Sequence, residues 1–314
     1  TRCLSDWSSD VCSSDLREIL NNSLTKTAYY TELNHYTEDT TVKVMNPLSS
    51  DLGVMRQTLL FGGLESICRN VNHKMPNLRF FEFGNCYHFS PEKKNDEDPI
   101  KAYTEEMHLG MWLTGKRVEG SWAHADEQSN FYELKAYVMN IFTRLGVNPG
   151  IVVAEKSDNN VFGKALALKA RSGKLLCEMG TVSHKLLKKM DIDQDVFYAD
   201  INWNNIMRAI KKNETLYHDI SKFPSVSRDL ALLIDKSVEF EQIEQIARQT
   251  EKKLLKSVEL FDVYEGKNLP EGKKSYAVNF ILQDETKTLN DKQIEAIMTK
   301  LINNLKQKLG AELR

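Results

Sequence analysis

No run of apolar residues in this sequence approaches the ~18 needed to cross a bilayer as a helix. The longest aliphatic stretch is Leu230–Ile234. There is no C-x-x-C pair. The five cysteines (Cys3, Cys12, Cys68, Cys86 and Cys177) are odd in number and scattered, which argues against a disulfide framework or a zinc knuckle and for a reducing, cytoplasmic setting. The seven histidines show no ligand spacing, so no metal site is expected. A signal-peptide pattern is absent. Neither sign of charge is in excess, with 42 Lys+Arg against 44 Asp+Glu. That excludes a uniformly basic nucleic-acid coat, though not a local basic stripe.

What is present is ordinary for a globular protein: 314 residues, 41% hydrophobic and 27% charged. Disorder, collagen and coiled coil are thereby excluded, and the length suits two domains of ~100–200 residues. The chain begins at Thr1 rather than Met. Residues 1–16 (TRCLSDWSSDVCSSDL) have no periodicity and resemble a translated sequencing-adapter artefact, the alternative being a disordered tail. Cys3, Trp7 and Cys12 therefore receive no functional weight, and the natural protein is expected to start further upstream.

The region from residue 17 mixes a short helical stretch (Leu16–Leu24) with a strand-like run (Thr41–Met45) that ends at the Asn46-Pro47 turn signal. Spacings of three and four among Leu52, Met55, Leu59, Leu60, Leu64, Ile67 and Val71 predict a helix over 52–72, interrupted or kinked at Gly62-Gly63. Partial alternation predicts a strand over 78–89 with a turn at Gly84-Asn85. Pro91–Pro99 reads as a solvated loop, 106–114 as a strand, and 131–145 as an amphipathic helix ended by Gly146. Short strands continue to Ile201. Residues 17–210 thus read as one mostly antiparallel α+β unit, and the polar stretch 211–221 as a linker.

The last ninety residues carry the clearest pattern. Strands are expected at Arg228–Ile234, Ser257–Tyr264 and Ser275–Gln283, with a short one at Ala311–Arg314. Ser237 is a candidate N-cap for a helix bearing Phe240, Ile243, Ala247, Thr250 and Leu254 on one face. Asn290 with Gln293 forms a capping box for a second helix, whose stripe is Ile294, Ile297, Met298, Leu301, Leu305 and Leu309, and Gly310 caps its end. The order βαββαβ is a ferredoxin-like sandwich over 222–314. Period two places Leu230, Leu232, Ile234, Phe261, Val263, Tyr276, Val278 and Phe280 under the helices. Asp229, Ala231, Asp262, Tyr264, Ser275, Ala277 and Asn279 then form an open face. Such a face, polar and carrying an aromatic ring, can stack and hydrogen-bond single-stranded bases. Lys256, Lys273 and Lys274 are candidates to hold phosphates. Against that, an exposed Tyr is also simply a good strand former, Asp repels phosphate, and the 16 Lys+Arg and 15 Asp+Glu from Lys222 to Arg314 leave only a net +1.

FPSVSRDLALLID (Phe223–Asp235), FDVYEG (Phe261–Gly266), LPEGKKS (Leu269–Ser275), LQDETKTLND (Leu282–Asp291) and GAELR (Gly310–Arg314) resemble the anticodon-binding ferredoxin-like domain that ends bacterial phenylalanyl-tRNA synthetase β subunits. NPLSSDLGVMRQTLL (Asn46–Leu60), LRFFEFG (Leu78–Gly84) and FYELKAYV (Phe131–Val138) resemble that subunit's synthetase-like core. The resemblance runs collinearly over 17–314 and implies a complete C-terminus. It implies a class II synthetase-like antiparallel core without catalysis, followed by the anticodon-binding domain. It implies a catalytic α-subunit partner in an (αβ)₂ tetramer, phenylalanine tRNA as ligand, and ATP and Mg²⁺ as cofactors of the holoenzyme, with neither cofactor bound by this part. Upstream editing and magnesium-site domains of the family are missing. The family's anticodon-contacting positions fall on Ala231, Asp262, Tyr264 and Ser275.

Amino-acid activation requires arginines that clamp ATP phosphates. The Arg-x-Glu pattern of active class II enzymes is not met, since Arg79 and Glu82 stand one residue too far apart, and Gly180–Met190 is not the late glycine-rich Arg motif. No catalytic residue is assigned. Arg79 and Glu82 are instead expected in a surface or strand-edge ion pair. The competing readings are a free-standing RNA-binding protein, a single-chain synthetase, and a structural or regulatory pseudo-enzyme. The first usually carries several stacking aromatics on its sheet where this one offers Tyr264 alone, and the second needs intact phosphate-binding motifs.

Overall fold

The computed structural model describes residues 16–95, 97–214, 217, 219–266 and 269–314. The tail assignment at 1–16 therefore lies outside the described residues apart from Leu16, which is buried in a core and is no tail residue. Two compact units divide between Glu214 and Thr215, within the stretch read as a linker.

The first unit contains β1 (Arg17–Glu18), β2 (Leu24–Thr25), β3 (Val54–Met55), α1 (Leu60–Asn72), β4 (Leu78–Phe89), β5 (Tyr103–Thr114), β6 (Lys116–Val118), β7 (Glu127–Gln128), α2 (Phe131–Arg144), β8 (Val152–Lys156), β9 (Phe162–Ala170), β10 (Leu175–Val182), α3 (His184–Lys189), β11 (Val196–Asn202) and α4 (Trp203–Ile210). Seven strands form one sheet in the order β1-β4-β5-β11-β10-β9-β8. It is antiparallel except where β1 runs parallel to β4.

Alternation along β4 and β5 sends side chains to both sides of this sheet. Phe81, Leu109, Met111 and Leu113 meet Leu134, Val138 and Phe142 of α2 and Ile206 of α4. Phe80, Trp112 and Tyr198 meet Leu60, Phe61, Leu64 and Ile67 of α1. The sheet is covered on both faces, so its strands read as near-continuous apolar runs. α2 starts at Asn130, whose side chain accepts from the Glu133 N–H at 3.0 Å, and it is followed by Gly146 at φ 74°.

Several local expectations fail here, each for a tertiary reason. Leu16–Leu24 is not helical, because β1 is drawn alongside β4 and Leu24 pairs with Met55. Thr41–Met45 makes a single bridge, Lys43 to Val54, rather than a strand. The helix predicted from residue 52 begins at Leu60; Leu52 lies in a 3₁₀ turn and Met55 in β3. Gly62-Gly63 does not interrupt α1. A Cβ on Gly63 would run into the Trp112 indole, so this glycine seats the helix on that ring. Gly84-Asn85 is no turn, since β4 pairs with β5 without a break from Leu78 to Phe89. A Cβ on Gly84 would strike the Arg56 guanidinium, which crosses the strand at that point.

The second unit runs β12 (Val226–Asp235), α5 (Phe240–Thr250), β13 (Leu255–Tyr264), β14 (Lys273–Leu282), α6 (Asp291–Leu309) and β15 (Glu312–Leu313). The sheet order is β13-β14-β12-β15 and all pairs are antiparallel, giving the ferredoxin-like sandwich. The chain is thus α+β throughout. Asn290 and Gln293 cap α6 reciprocally, and Gly310 takes the left-handed conformation, φ 63°. α5 departs from expectation: its N-cap is Glu239, boxed with Gln242, and not Ser237. Leu232, Ile234, Val258, Tyr276, Val278 and Phe280 pack under Ile243, Ala247, Ile294, Ile297, Leu301 and Leu305.

Phe261 and Val263 do not share that burial, with exposures of 60% and 49%. The register of β13 on β14 slips between Leu260 and Asp262. Phe261 is the extra residue of this bulge. Val263, although opposite Tyr276, lies on an edge strand.

Candidate nucleic-acid interface

The bulge decides which β13 side chains face outward. Val258 and Leu260 stand opposite Phe280 and Val278 on the helix-covered face. Were Phe261 paired in a regular ladder, Asp262 would come next on that same side, because successive side chains alternate. Because the bulge leaves Phe261 unpaired, Asp262 pairs with Ala277 and Tyr264 with Ser275, both on the side away from the helices. β12 completes the rows, with Ala231 opposite Ala277, Leu233 opposite Ser275, and Asp229 opposite Asn279.

The register therefore brings Ala231, Ala277 and Asp262 into one row and Leu233, Ser275 and Tyr264 into the next. Tyr264 is 36% exposed and Asp262 is exposed, whereas Ser275 is only 5% exposed and is the least accessible of the four family positions. The two alanines make a low floor between the tyrosine and the far edge. Gly266 folds back so closely that a side chain there would strike the phenol, which braces the ring from the loop side. A third row is a hydrogen-bonded ladder, in which the Asn279 amide donates to Ser227 and Asp229.

The three lysines separate. Lys273 lies at the Tyr264 end of the sheet and pairs with Asp235 at 3.2 Å. Lys256 sits at the opposite end of β13, held at 2.6 Å by Glu285. Lys274 points to the helix-covered face, is 7% exposed and places its ammonium 4.5 Å from the Tyr276 ring centroid. Its expected place beside the open face is corrected, since period two puts it with Tyr276 and not with Ser275. A cation missing from the sequence reading takes its place. The Arg314 N–H donates to the Ala231 carbonyl at 2.9 Å, and the guanidinium carbon lies 5.1 Å from the Tyr264 ring centroid. Extending the antiparallel alternation through the short terminal strand would have signalled it.

Several charged groups of the first unit are held in internal pairs. Arg79 and Glu82 are not each other's partners, because three residues along a strand put them on opposite faces. Arg79 Nε donates to Glu133 Oε1 at 3.2 Å. Glu82, 1% exposed, takes Arg56 Nη1 at 2.6 Å and Asn21 Nδ2 at 2.6 Å. The expected surface pair is thus replaced by two largely buried ones. Further along the sheet, His108 Nδ1 lies 2.6 Å from Asp200 and its Nε2 3.9 Å from Glu106. Burial alone would lower the His108 pKa, but the two carboxylates outweigh it and hold the ring up at about 10. The neighbouring His108, with the Asn202 amide donating to the carboxylate at 2.9 Å, in turn pulls Glu106 down to about 2, against partial desolvation. Burial pushes the Cys86 and Cys177 thiols well up, so neither is a nucleophile. An open groove of ≈ 850 Å³ is lined by Lys26, Tyr29, Glu65, Arg69 and Lys189 among others, with cations and acids interleaved. Among the described residues no cluster of three or more His, Cys, Asp or Glu suits a metal ion, and no helix is long and apolar enough to cross a membrane.

Comparison with known proteins bears on both units. Residues 4–203 match the family described as phenylalanyl tRNA synthetase beta chain CLM domain, and residues 221–314 match the ferredoxin-fold anticodon binding domain. The phenylalanine–tRNA ligase beta subunit of Bacteroides fragilis is 58% identical over 95% of this chain and 36% of its own length. That of Porphyromonas gingivalis is 51% identical over the same shares. The chain thus spans about a third of the length of these relatives. Among solved structures, pyrrolysyl-tRNA synthetase from Desulfitobacterium hafniense aligns with a TM-score of 0.48 at 12% identity, over 65% of this chain and 66% of that one. The first match takes in the seven-stranded core and the second the terminal sandwich with its open face, and on that ground the chain belongs to the phenylalanyl-tRNA synthetase β-chain family.

Proposed function

We propose that this chain is the portion of a phenylalanine–tRNA ligase β subunit that supports the catalytic α subunit and binds the tRNA anticodon stem-loop. The core at 17–210 is a non-catalytic scaffold for α, and the domain at 222–314 contacts the anticodon. The holoenzyme, an (αβ)₂ tetramer in the cytoplasm, attaches phenylalanine to its tRNA with ATP and Mg²⁺. Family membership and the names of the relatives support this reading.

The observation that carries it is the open face itself. A phenol ring, a carboxylate and two alanines share the side of the sheet away from both helices. A base stacked on an aromatic side chain contributes ~1–3 kcal/mol. The Asp262 carboxylate accepts from base N–H groups and repels phosphate, so it favours bases turned toward the sheet and backbone turned away. The alanine floor leaves room for a planar ring beside Tyr264.

The non-catalytic role of the core is supported by two of its arginines. Arg56 and Arg79 are both engaged by internal carboxylates and cannot also clamp ATP phosphates. In this reading the chemistry of ATP and Mg²⁺ is assigned to the α subunit.

The test is binding of a phenylalanine anticodon stem-loop to the full chain at fixed salt. Tyr264→Ala is expected to weaken it by ~1–3 kcal/mol; unchanged affinity would remove the assignment. The purified chain alone is expected to show no phenylalanine-dependent pyrophosphate exchange, and measurable exchange would refute the non-catalytic role.

A further inference from the structure

Arg314 is tied to the open face at two levels. Its backbone N–H continues the β15–β12 ladder onto Ala231, which places Arg314 at the head of the row Ala231–Ala277–Asp262. Its side chain then runs inward over the alanines and sets the guanidinium against the Tyr264 ring, 5.1 Å from the centroid. That distance lies within the ~6 Å range of a cation–π contact. Three inter-strand steps of ~4.8 Å separate β15 from β13, so two long side chains meet above two very short ones. Among the described residues neither Arg314 nor Asp262 has an ion-pair partner. The guanidinium is parked on an aromatic face and not neutralised by a carboxylate.

We propose that Arg314 is an RNA-binding residue that guards the stacking face of Tyr264. In the free protein the guanidinium occupies the face that a base requires. An arriving base displaces it, and the freed cation pairs with a phosphate of the same strand at the β15 edge. Occupation of one ring face by either group excludes the other, so the exchange is obligatory. The chemistry favours it, because the ring–guanidinium contact is a modest interaction at an exposed site, whereas guanidinium and phosphate form charge-assisted, often bidentate, hydrogen bonds. The arrangement also explains how a face rich in acceptors (Asp229, Glu259, Asp262) can hold a polyanion: the bases meet the acceptors, and the phosphate charge is met at the edge. This proposal rests on the anticodon-binding reading above and adds a residue and a gating step to it.

The experiment uses the full chain and a fluorescein-labelled phenylalanine anticodon stem-loop, titrated by anisotropy over a series of KCl concentrations. Arg314→Gln keeps a planar side chain and removes the charge. It is expected to lower the slope of log K against log[KCl] by about 0.7, the value for one single-strand phosphate contact; Arg314→Lys restores the slope. In the free protein, the Arg314 side-chain resonances are expected to be ring-shifted by Tyr264, and saturating RNA abolishes that shift. A wild-type slope in Arg314→Gln while Tyr264→Ala weakens binding overturns the Arg314 proposal alone. A ring shift that persists in the complex overturns the displacement step. Wild-type binding by both Arg314→Gln and Tyr264→Ala overturns the anticodon reading along with it.

Discussion

Arg56 and Glu82 form a buried ion pair, Nη1 to Oε1 at 2.6 Å, with side-chain exposures of 8% and 1%. The pair passes through a gap that Gly84 leaves open in β4, and the second carboxylate oxygen is satisfied by Asn21. Removing one partner leaves a buried charge alone. Arg56→Ala or Glu82→Ala is therefore expected to destabilise the first unit by about 3–5 kcal/mol, measured by urea unfolding. The double variant is expected to lose much less than the sum. Additive losses would show that the two charges do not depend on each other.

Gly63 offers a sharper test of packing. In an exposed helix, Gly→Ala stabilises by roughly 0.5–1 kcal/mol. Here the added methyl meets the Trp112 indole, which is itself fully buried and cannot swing aside. Gly63→Ala is expected to destabilise by about 1–3 kcal/mol, and pairing it with Trp112→Leu should recover part of the loss. A stabilised Gly63→Ala protein would contradict the close seating of α1 on the sheet.

The His108 array gives a pH dependence whose sign follows from the shifts. His108 has a raised pKa, about 10 against an ordinary 6.5. Its contribution is complete below about pH 6.5 and is lost as pH rises through about 10. Glu106 is depressed, about 2 against 4.5, so its contribution is present above about pH 4.5 and is lost as pH falls toward 2. His88, lowered by burial and then by His108, adds to the acid loss, since unfolding lets it take a proton near its ordinary pH. Urea midpoints are expected to peak near neutrality. His108→Gln should flatten the alkaline arm, and parallel arms in the two proteins would exclude His108 as its source.

Phe261 is the extra residue between Leu260 and Asp262. Deleting it should restore a regular ladder in which Asp262 still faces Ala277 and Tyr264 still faces Ser275. The deletion is expected to leave stem-loop affinity within about twofold, since the stacking and hydrogen-bonding groups keep their side. Loss of affinity comparable to Tyr264→Ala would show that the bend itself, and not only the facing, is required.

Much of the chain was legible locally. The Asn290–Gln293 box, the terminal glycine and the apolar stripe of α6 are signals contained within a few residues, as is the βαββαβ order they punctuate. The open-face membership of Ala231, Ser275, Ala277 and Asn279 also follows from alternation within single strands. The misreadings cluster where a distant partner overrode a local pattern: Gly62 and Gly63 seated on Asn21 and Trp112, the strand drawn past Gly84 by Arg56, and the short N-terminal segments captured by β4 and β3.

Sequence alone determined the longer helices and the βαββαβ order of the second unit, because capping and periodicity act over one or two turns. It also determined the family, through collinear motifs. Tertiary structure decided who meets whom. It turned Lys274 under the helices, assigned Arg79 and Glu82 to different partners, and carried Arg314 across the sheet to Tyr264. Cross-strand register, a one-residue bulge and the reach of long cationic side chains are properties of paired strands, and no single strand's sequence contains them.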